Sequence, residues 1–364
     1  MHICFIIGAM NYSGAEKVLT IISRELYDKE NKVSIILLDK KKCEFEDVDG
    51  INICGVKETG SRINRIVHRW RNIREKIKQI KPDIIVSFGF VCNVNSVPAL
   101  IGVKYPLILC ERNDPVFDPR RVNERLSRWL LYRFADGYVF QTEKIKSYFS
   151  NKIQKKAVII ENPIVQTNIK WDSCIHSKSI ATVARLDNFQ KDHIVMFNAF
   201  KNFLKEFPEY TLEVYGDGPD RKQYEKVIAS MGLGKKVILH GKINDTYKEI
   251  ANSEIFLFTS RYEGMPNALM EALSIGMPCV STDCGGGGAK ALFDITQSGI
   301  LVPVGDVGAI SQALTRLVED DELKSELSRK ALQINVCLDN RRICKKWETF
   351  LKAMISKKIS SFLI

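Results

Sequence analysis

The chain has 364 residues and a mass of 41.4 kDa, beyond the roughly 250–300 residues at which one hydrophobic core stops growing, so two domains are expected. With 45% hydrophobic and 27% charged residues it is not a disordered, collagen-like or fibrous chain. Its 54 Lys and Arg exceed 43 Asp and Glu by 11, a balance that suits nucleic acid, an anionic membrane surface or a phosphorylated small molecule without choosing among them. No apolar run approaches the ~18–20 residues needed to cross a bilayer, and Met1-His2 gives no basic lead-in to the apolar residues 3–7. Neither a membrane-spanning nor a conventionally secreted protein is expected. Ten cysteines scattered singly, several within apolar runs such as Pro106-Leu-Ile-Leu-Cys110, read as buried thiols of a reducing cytosol.

Short apolar runs alternate with helical periodicity, the pattern of β-α-β units and parallel sheets. Strands are expected in the first half at 2–7, 32–38, 83–88, 107–110 and 137–141. The loop after the first, Gly8-Ala-Met-Asn-Tyr-Ser-Gly14-Ala-Glu16, opens a helix and lets backbone amides approach a phosphate, although it lacks the G-x-G-x-x-G dinucleotide pattern. Residues 61–81, SRINRIVHRWRNIREKIKQIK, carry eight Lys or Arg beside an apolar stripe, the spacing of a helix with one greasy and one basic face. A second basic stretch interleaves Arg120, Arg121, Arg125, Arg128 and Arg133 with Leu126, Trp129, Leu130 and Tyr132. Two readings stand for both stretches: a core-facing stripe with a solvated outer face, or peripheral attachment to anionic lipid, where each basic residue contributes roughly 1 kcal/mol.

Glu161-Asn-Pro-Ile and the polar stretch to Lys178 lack periodicity and mark the linker. The domains expected are 1–165, 166–340 and a C-terminal helix at 341–364 that packs back towards the first domain. The second half repeats the scheme, with strands at 179–184, 211–215, 236–240, 254–258, 279–282 and 299–302. The fold class is therefore α/β, with two doubly wound domains facing a central cleft and ligands at the carboxyl ends of the strands.

At those ends the second half places Arg185 and, six residues on, Lys191, two cations of different reach for one polyphosphate. Gly216-Asp-Gly218-Pro219 forms a tight turn, and the bare backbone of Gly241 could read a flat base. The strongest signal is Glu263-Gly264-Met265-Pro266-Asn267-Ala268-Leu-Met-Glu271. Gly264 permits an unusual turn, Pro266 fits the first helical turn, and the unpaired amides around Met265 to Ala268 make an anion site. Carboxylates eight residues apart lie about 12 Å apart along a helix axis, too far to share a proton but suited to one elongated ligand. The plain alternative is that Glu263 caps the helix and Glu271 lies on the surface.

These residues carry a resemblance that runs over nearly the whole chain. It resembles glycosyltransferase family 4, retaining enzymes of the GT-B fold with two Rossmann-like domains. The most specific element is Glu263-x7-Glu271, supported by Arg185, Lys191, Gly216-x-Gly-Pro219 and Gly14. The resemblance implies that the second domain binds a nucleotide-diphosphate sugar and the first an acceptor. It implies catalytic roles for Arg185 and Lys191 on the diphosphate and for Glu263 on the transferred sugar. Glu271 would meet the ribose, the stretch from Gly241 to Ile243 the base, and Gly14, Gly216 and residues 264–268 would complete the donor site. Where many relatives carry a histidine, this chain has Glu111-Arg112-Asn113-Asp114-Pro115, similar to the Glu-Arg-Asn variant of transferases that build bacterial surface glycans on lipid carriers. Glu111, Arg112 and Asn113 are thus the acceptor-side candidates. Lys290 stands near the glycines 285–288, where many members place a glutamate.

The expected activity is a retaining hexosyltransferase that moves a hexose or N-acetylhexosamine from a UDP-linked donor to a lipid-linked glycan acceptor. It would work in the cytoplasm, peripherally on the inner membrane face. Family members are thought to react by front-face displacement, in which positioning and electrostatics do the catalytic work. Asp47-Val-Asp49 matches an Asp-x-Asp metal motif but lies far in sequence from the nucleotide motifs, and the five histidines show no ligand spacing. No metal and no cofactor beyond the donor are expected. A nucleotide-sugar epimerase of the same fold is the alternative enzyme. Nucleic acid is not an expected partner, since no recognition module accompanies the basic stretches.

Overall fold

The computed structural model describes residues 1–10, 14–39, 50–56, 62–172 and 177–362. The Asp47-Val-Asp49 motif, Ser61, Cys43, Cys174 and His176 lie outside them. The chain folds into two compact units, Met1–Pro163 with Asn340–Ile364, and Ile164–Asp339.

The first unit holds a parallel sheet of seven strands: β1 (His2–Ile7), β2 (Lys32–Leu37), β3 (Asn52–Gly55), β4 (Ile84–Phe88), β5 (Leu107–Cys110), β6 (Gly137–Phe140) and β7 (Ala157–Ile159). They lie in the order β3-β2-β1-β4-β5-β6-β7. The central strands are buried throughout, as near-continuous runs of Ile, Val, Leu and Phe require when helices cover both faces of a sheet. Strands β3 and β7 escape the sequence reading because they are short, half-buried edges with little apolar pattern.

The Arg62–Ile80 helix divides along its length. Its C-terminal half buries Ile73 and Ile77, and Arg74 donates to the carbonyls of Ala99 (3.1 Å) and Ile101 (3.0 Å) at the end of the Phe90–Leu100 helix. A cation there satisfies carbonyls left open by the helix end. Ile66 and Val67, in the other half, are exposed.

The Val122–Leu131 helix overturns the core-stripe reading of the 120–133 stretch. Arg128 is buried, donating to the carbonyl of Asp118 at 2.8 Å and to the hydroxyl of Tyr148 at 3.0 Å, while Val122, Leu126, Trp129 and Leu130 face outwards. The physical reason is that the loop before the helix turns its carbonyls inward, and a guanidinium satisfies them where an aliphatic side chain could not.

The Asn340–Phe362 helix belongs to the first unit. Trp347 is fully buried and stacks on Phe88 with centroids 5.9 Å apart, while Lys346 pairs with Glu161 and Lys358 with Asp136.

The second unit holds β8 (Ser177–Val183), β9 (Thr211–Tyr215), β10 (Val237–Gly241), β11 (Ser253–Phe258), β12 (Cys279–Thr282) and β13 (Ile300–Val302). Their order is β10-β9-β8-β11-β12-β13, all parallel. Within the stretch read as linker, Trp171 is buried in this unit and its Nε1 donates to the Ser253 carbonyl at 2.9 Å. From β8 the sheet grows outwards through β9 and β10, then returns to place β11 on the other flank of β8. That reversal is the switch point of a doubly wound sheet, where the loops after two neighbouring strands leave a crevice between them.

Candidate active site

The loops flanking the switch point are 184–191, after β8, and 259–266, after β11. They are tied together by the backbone: the Arg261 amide donates to the Gln190 carbonyl at 2.8 Å, and the Thr259 hydroxyl to the Lys191 carbonyl at 3.0 Å. This brings Lys191 Nζ to 2.5 Å from Glu263 Oε1, with the other carboxylate oxygen accepting from Gln190 Nε2 at 3.3 Å. The Lys191 ammonium also lies 5.5 Å from the centroid of the Phe258 ring. Residues 72 positions apart thus form one charged pair with little solvent around it, the side chains 17% and 11% exposed.

A second pair braces the first. Asp192, at φ 53°, accepts Arg261 Nε at 2.7 Å and Nη2 at 2.9 Å, a two-pronged bond that fixes both loops. Sequence reasoning missed Gln190, Asp192 and Arg261. Their one local signal was position: they lie on the two strand-end loops within two residues of Lys191 or Glu263.

Pro266 occupies the N-cap position of the Asn267–Ser274 helix rather than its first turn, with extended ψ 108° and no capping side chain. Pro266 has no side-chain acceptor to offer the first turn of that helix, and Glu263, the expected cap, is engaged with Lys191 and Gln190. Glu271 is buried rather than superficial. Burial, with the Glu271 charge adding, pushes the Tyr247 hydroxyl above its ordinary pKa.

Close approach to backbone dictates Gly216, Gly218 and Gly288. A Cβ on Gly216 would fall 2.0 Å from the Ala184 carbonyl oxygen beside Arg185, and one on Gly288 would fall 2.0 Å from that of Gly264. The 285–288 stretch also pins Glu263 directly: the Glu263 amide donates to the Gly285 carbonyl at 2.9 Å, and the Gly285 amide to that of Arg261 at 2.8 Å. Burial, with the Glu263 charge adding, pushes the neighbouring Cys284 thiol up to about 12, so it stays protonated.

Arg185 is exposed two residues beyond β8 and pairs with no described side chain. Ile243 is half-buried two residues beyond β10, and Lys290 is exposed and pairs with Asp294 at 3.2 Å. The structure thus brings Lys191, Glu263 and residues 264–268 together, with Gly216 on the loop beside Arg185.

In the first unit Gly14 opens the Gly14–Asp28 helix. Glu111, Arg112 and Asn113 follow β5, but their side chains diverge. Glu111 is buried and accepts from the Tyr132 hydroxyl at 2.8 Å, and burial pushes its carboxyl up to about 7. Arg112 donates to Asn162 Oδ1 at 2.5 Å and stacks on Phe88, while Asn113 donates to Asp118 at 3.1 Å. Among the described residues no group of three or more His, Cys, Asp or Glu is placed to hold a metal ion.

Two family models match in succession, Glycosyltransferase Family 4 over residues 12–166 and Glycosyl transferases group 1 over residues 168–333. A relative from Campylobacter jejuni subsp. jejuni, 25% identical over 95% of this chain and 97% of its own, is GalNAc-alpha-(1->4)-GalNAc-alpha-(1->3)-diNAcBac-PP-undecaprenol alpha-1,4-N-acetyl-D-galactosaminyltransferase. The amylovoran biosynthesis glycosyltransferase AmsD of Erwinia amylovora is 25% identical over 94% of this chain and 97% of its own. The solved structure of Anabaena HepE in complex with UDP superposes with a TM-score of 0.77 at 17% identity, covering 97% of this chain and 100% of that one. With a seven-stranded and a six-stranded parallel sheet in successive units and these two models accounting for most of its length, the chain is a glycosyltransferase of family 4 with the GT-B fold.

Proposed function

We propose that this enzyme moves a hexose or N-acetylhexosamine from a UDP-linked donor to a growing lipid-linked surface glycan, with retention of anomeric configuration. The observation that carries the reading is the Lys191–Glu263 pair set directly before the start of the Asn267–Ser274 helix, whose N-cap residue is Pro266. A sugar diphosphate offers each part its complement: phosphate oxygens for Lys191, the exposed Arg185 and the first-turn amides, and sugar hydroxyls for Glu263. Glu271 takes the ribose hydroxyls, the segment around Ile243 the base, and Gly216 gives the donor close backbone approach. The undecaprenol-linked substrate named for the Campylobacter relative and the UDP in the HepE structure support the choice of acceptor and nucleotide.

In the transfer, the bond from the anomeric carbon to the diphosphate oxygen breaks while the bond to the acceptor oxygen forms on the same face. The acceptor proton passes to the departing phosphate oxygen. Arg185 and Lys191 stabilise the charge that develops on the diphosphate, the task a metal ion performs in other transferases, so chelator should leave the rate unchanged.

Radiolabelled transfer by folded variants tests the site. Arg185→Ala and Glu263→Gln each lose contacts of roughly 1.5–3 kcal/mol, about a 10- to 150-fold fall in kcat/KM. Near-normal transfer by either, or conversion of the sugar nucleotide without acceptor as an epimerase would give, overturns the reading.

The same reading places the enzyme on the inner membrane face. Among the described residues no helix is long and apolar enough to cross a membrane. The Val122–Leu131 helix instead presents Val122 (80% exposed), Trp129 (68%) and Leu126 (53%), with Arg121, Arg125 and Arg133 exposed around them. Aromatic and aliphatic groups ringed by arginines suit the headgroup boundary of anionic lipid. Flotation should fall when phosphatidylglycerol is removed from vesicles and again in Trp129→Ala; binding indifferent to both counts against the membrane reading.

A further inference from the structure

At the carboxyl ends of β5, β6 and β7 lies a group that the donor site does not use. Arg112, two residues beyond β5, has its Nε shut off from solvent without a partner, while Nη2 donates to Asn162 Oδ1 at 2.5 Å. Gln141, directly after β6, donates to the same oxygen at 2.7 Å and so holds Asn162 as the rest for the guanidinium. The Phe88 ring lies 4.9 Å below it. No described carboxylate pairs with Arg112 to compensate its charge. Glu161 beside Asn162 is taken by Lys346 at 2.7 Å, and the Cys110 thiol, the ionisable group that acts on the guanidinium, is held protonated by burial.

Setting a guanidinium in a poorly solvated place without an anion is costly, and proteins ordinarily pair such a group. A second source of positive potential lies beside it. The Phe90–Leu100 helix starts immediately after Phe88, its N-cap is Gly89 at φ 87°, and no side chain caps it. The Gly89 amide and Asn93 Nδ2 both donate to the Cys110 carbonyl, which ties that helix start to the end of β5 just before Arg112. A guanidinium and a helix start without a side-chain cap, both tied to the end of β5, suit a tetrahedral anion with several acceptor oxygens.

We propose that the first unit binds a phosphate of the acceptor, a diphosphate ester where the glycan hangs on its lipid carrier, with Arg112 as the principal ligand and the start of the Phe90–Leu100 helix assisting. The assignment to the acceptor rests on the lipid-linked reading above; the anion site itself does not.

The test keeps these apart. With full-length protein saturated with UDP, so that the donor site is filled, calorimetry with inorganic pyrophosphate should show binding that weakens at least tenfold in Arg112→Gln and less in Arg112→Lys. UDP affinity should be unchanged in both. Pyrophosphate binding that survives Arg112→Gln, or UDP affinity that falls with it, overturns the site. In transfer assays, Arg112→Gln should raise KM for a diphosphate-linked glycan and leave KM for the same glycan without its diphosphate unaltered. Equal effects on both glycans overturn the acceptor assignment.

Discussion

The two units differ in how they treat the least solvated cations at their strand ends. In the second, cations meet carboxylates: Lys191 with Glu263 at 2.5 Å and Arg261 with Asp192 at 2.7 Å. In the first, Arg112 has no described acidic partner, and Glu111, which could have been one, is turned inward to Tyr132 and drawn towards its neutral form by burial. Charge that is already paired holds loops in place before a ligand arrives. Unpaired charge beside desolvated strand ends stores a demand that only a ligand meets. In the second unit the poorly exposed Lys191 is thus held by a carboxylate and the exposed Arg185 is left for a ligand, whereas in the first the half-buried Arg112 is itself without an anion.

The largest effect that would sharpen this contrast comes from Gly288. The geometric order of the second unit depends on its lacking a side chain, because a Cβ there would lie 2.0 Å from a backbone oxygen of Gly264 that has no flexible end to yield. Gly288→Ala should cost about 3 kcal/mol of stability and displace the 264–265 turn. UDP affinity measured by calorimetry should then fall together with the melting temperature. A variant with unchanged melting temperature and UDP affinity would break the claim that this turn is held by close packing.

A smaller effect tests the first unit. Burial moves the Glu111 carboxyl from its ordinary 4.5 up to about 7. The fold holds that proton more tightly than the unfolded chain does. The stabilisation is therefore complete below about pH 4.5 and lost as pH rises to about 7, roughly 3 kcal/mol in all. Glu111→Gln keeps an acceptor for the Tyr132 hydroxyl and removes the titration. Relative to wild type it should gain stability steadily between pH 4.5 and 7 in urea denaturation. A constant difference across that interval would mean that Glu111 is ionised and balanced in the fold, and the contrast between the units would lose half its basis.

Much of the architecture was legible because a parallel sheet covered on both faces needs strands that are apolar throughout, and such runs stand out from helical spacing. Strands β1, β5, β9 and β12 have the limits read from sequence, and the others read there differ by one or two residues at their ends, where the hydrogen-bond ladder and the apolar run stop at different positions. In the candidate site, Lys191 and Glu263 were legible as charged residues on loops at strand ends. Gln190, Asp192 and Arg261 were not, since their role lies in whom they touch across the switch point. The 120–133 stretch shows the same limit: periodicity announces two faces without saying which is turned inward.

The order of residues alone determined the alternation of strand and helix, the parallel sheets and the places where loops at strand ends carry charge, because these follow from hydrophobic period and backbone chemistry along a few neighbouring positions. Only the folded chain decided that Lys191 finds Glu263, that Arg112 finds no described carboxylate, and that Arg128 goes inward while Trp129 goes out. Each of those outcomes depends on acceptors delivered by segments distant in sequence, and a charge's surroundings cannot be inferred before those segments are in place.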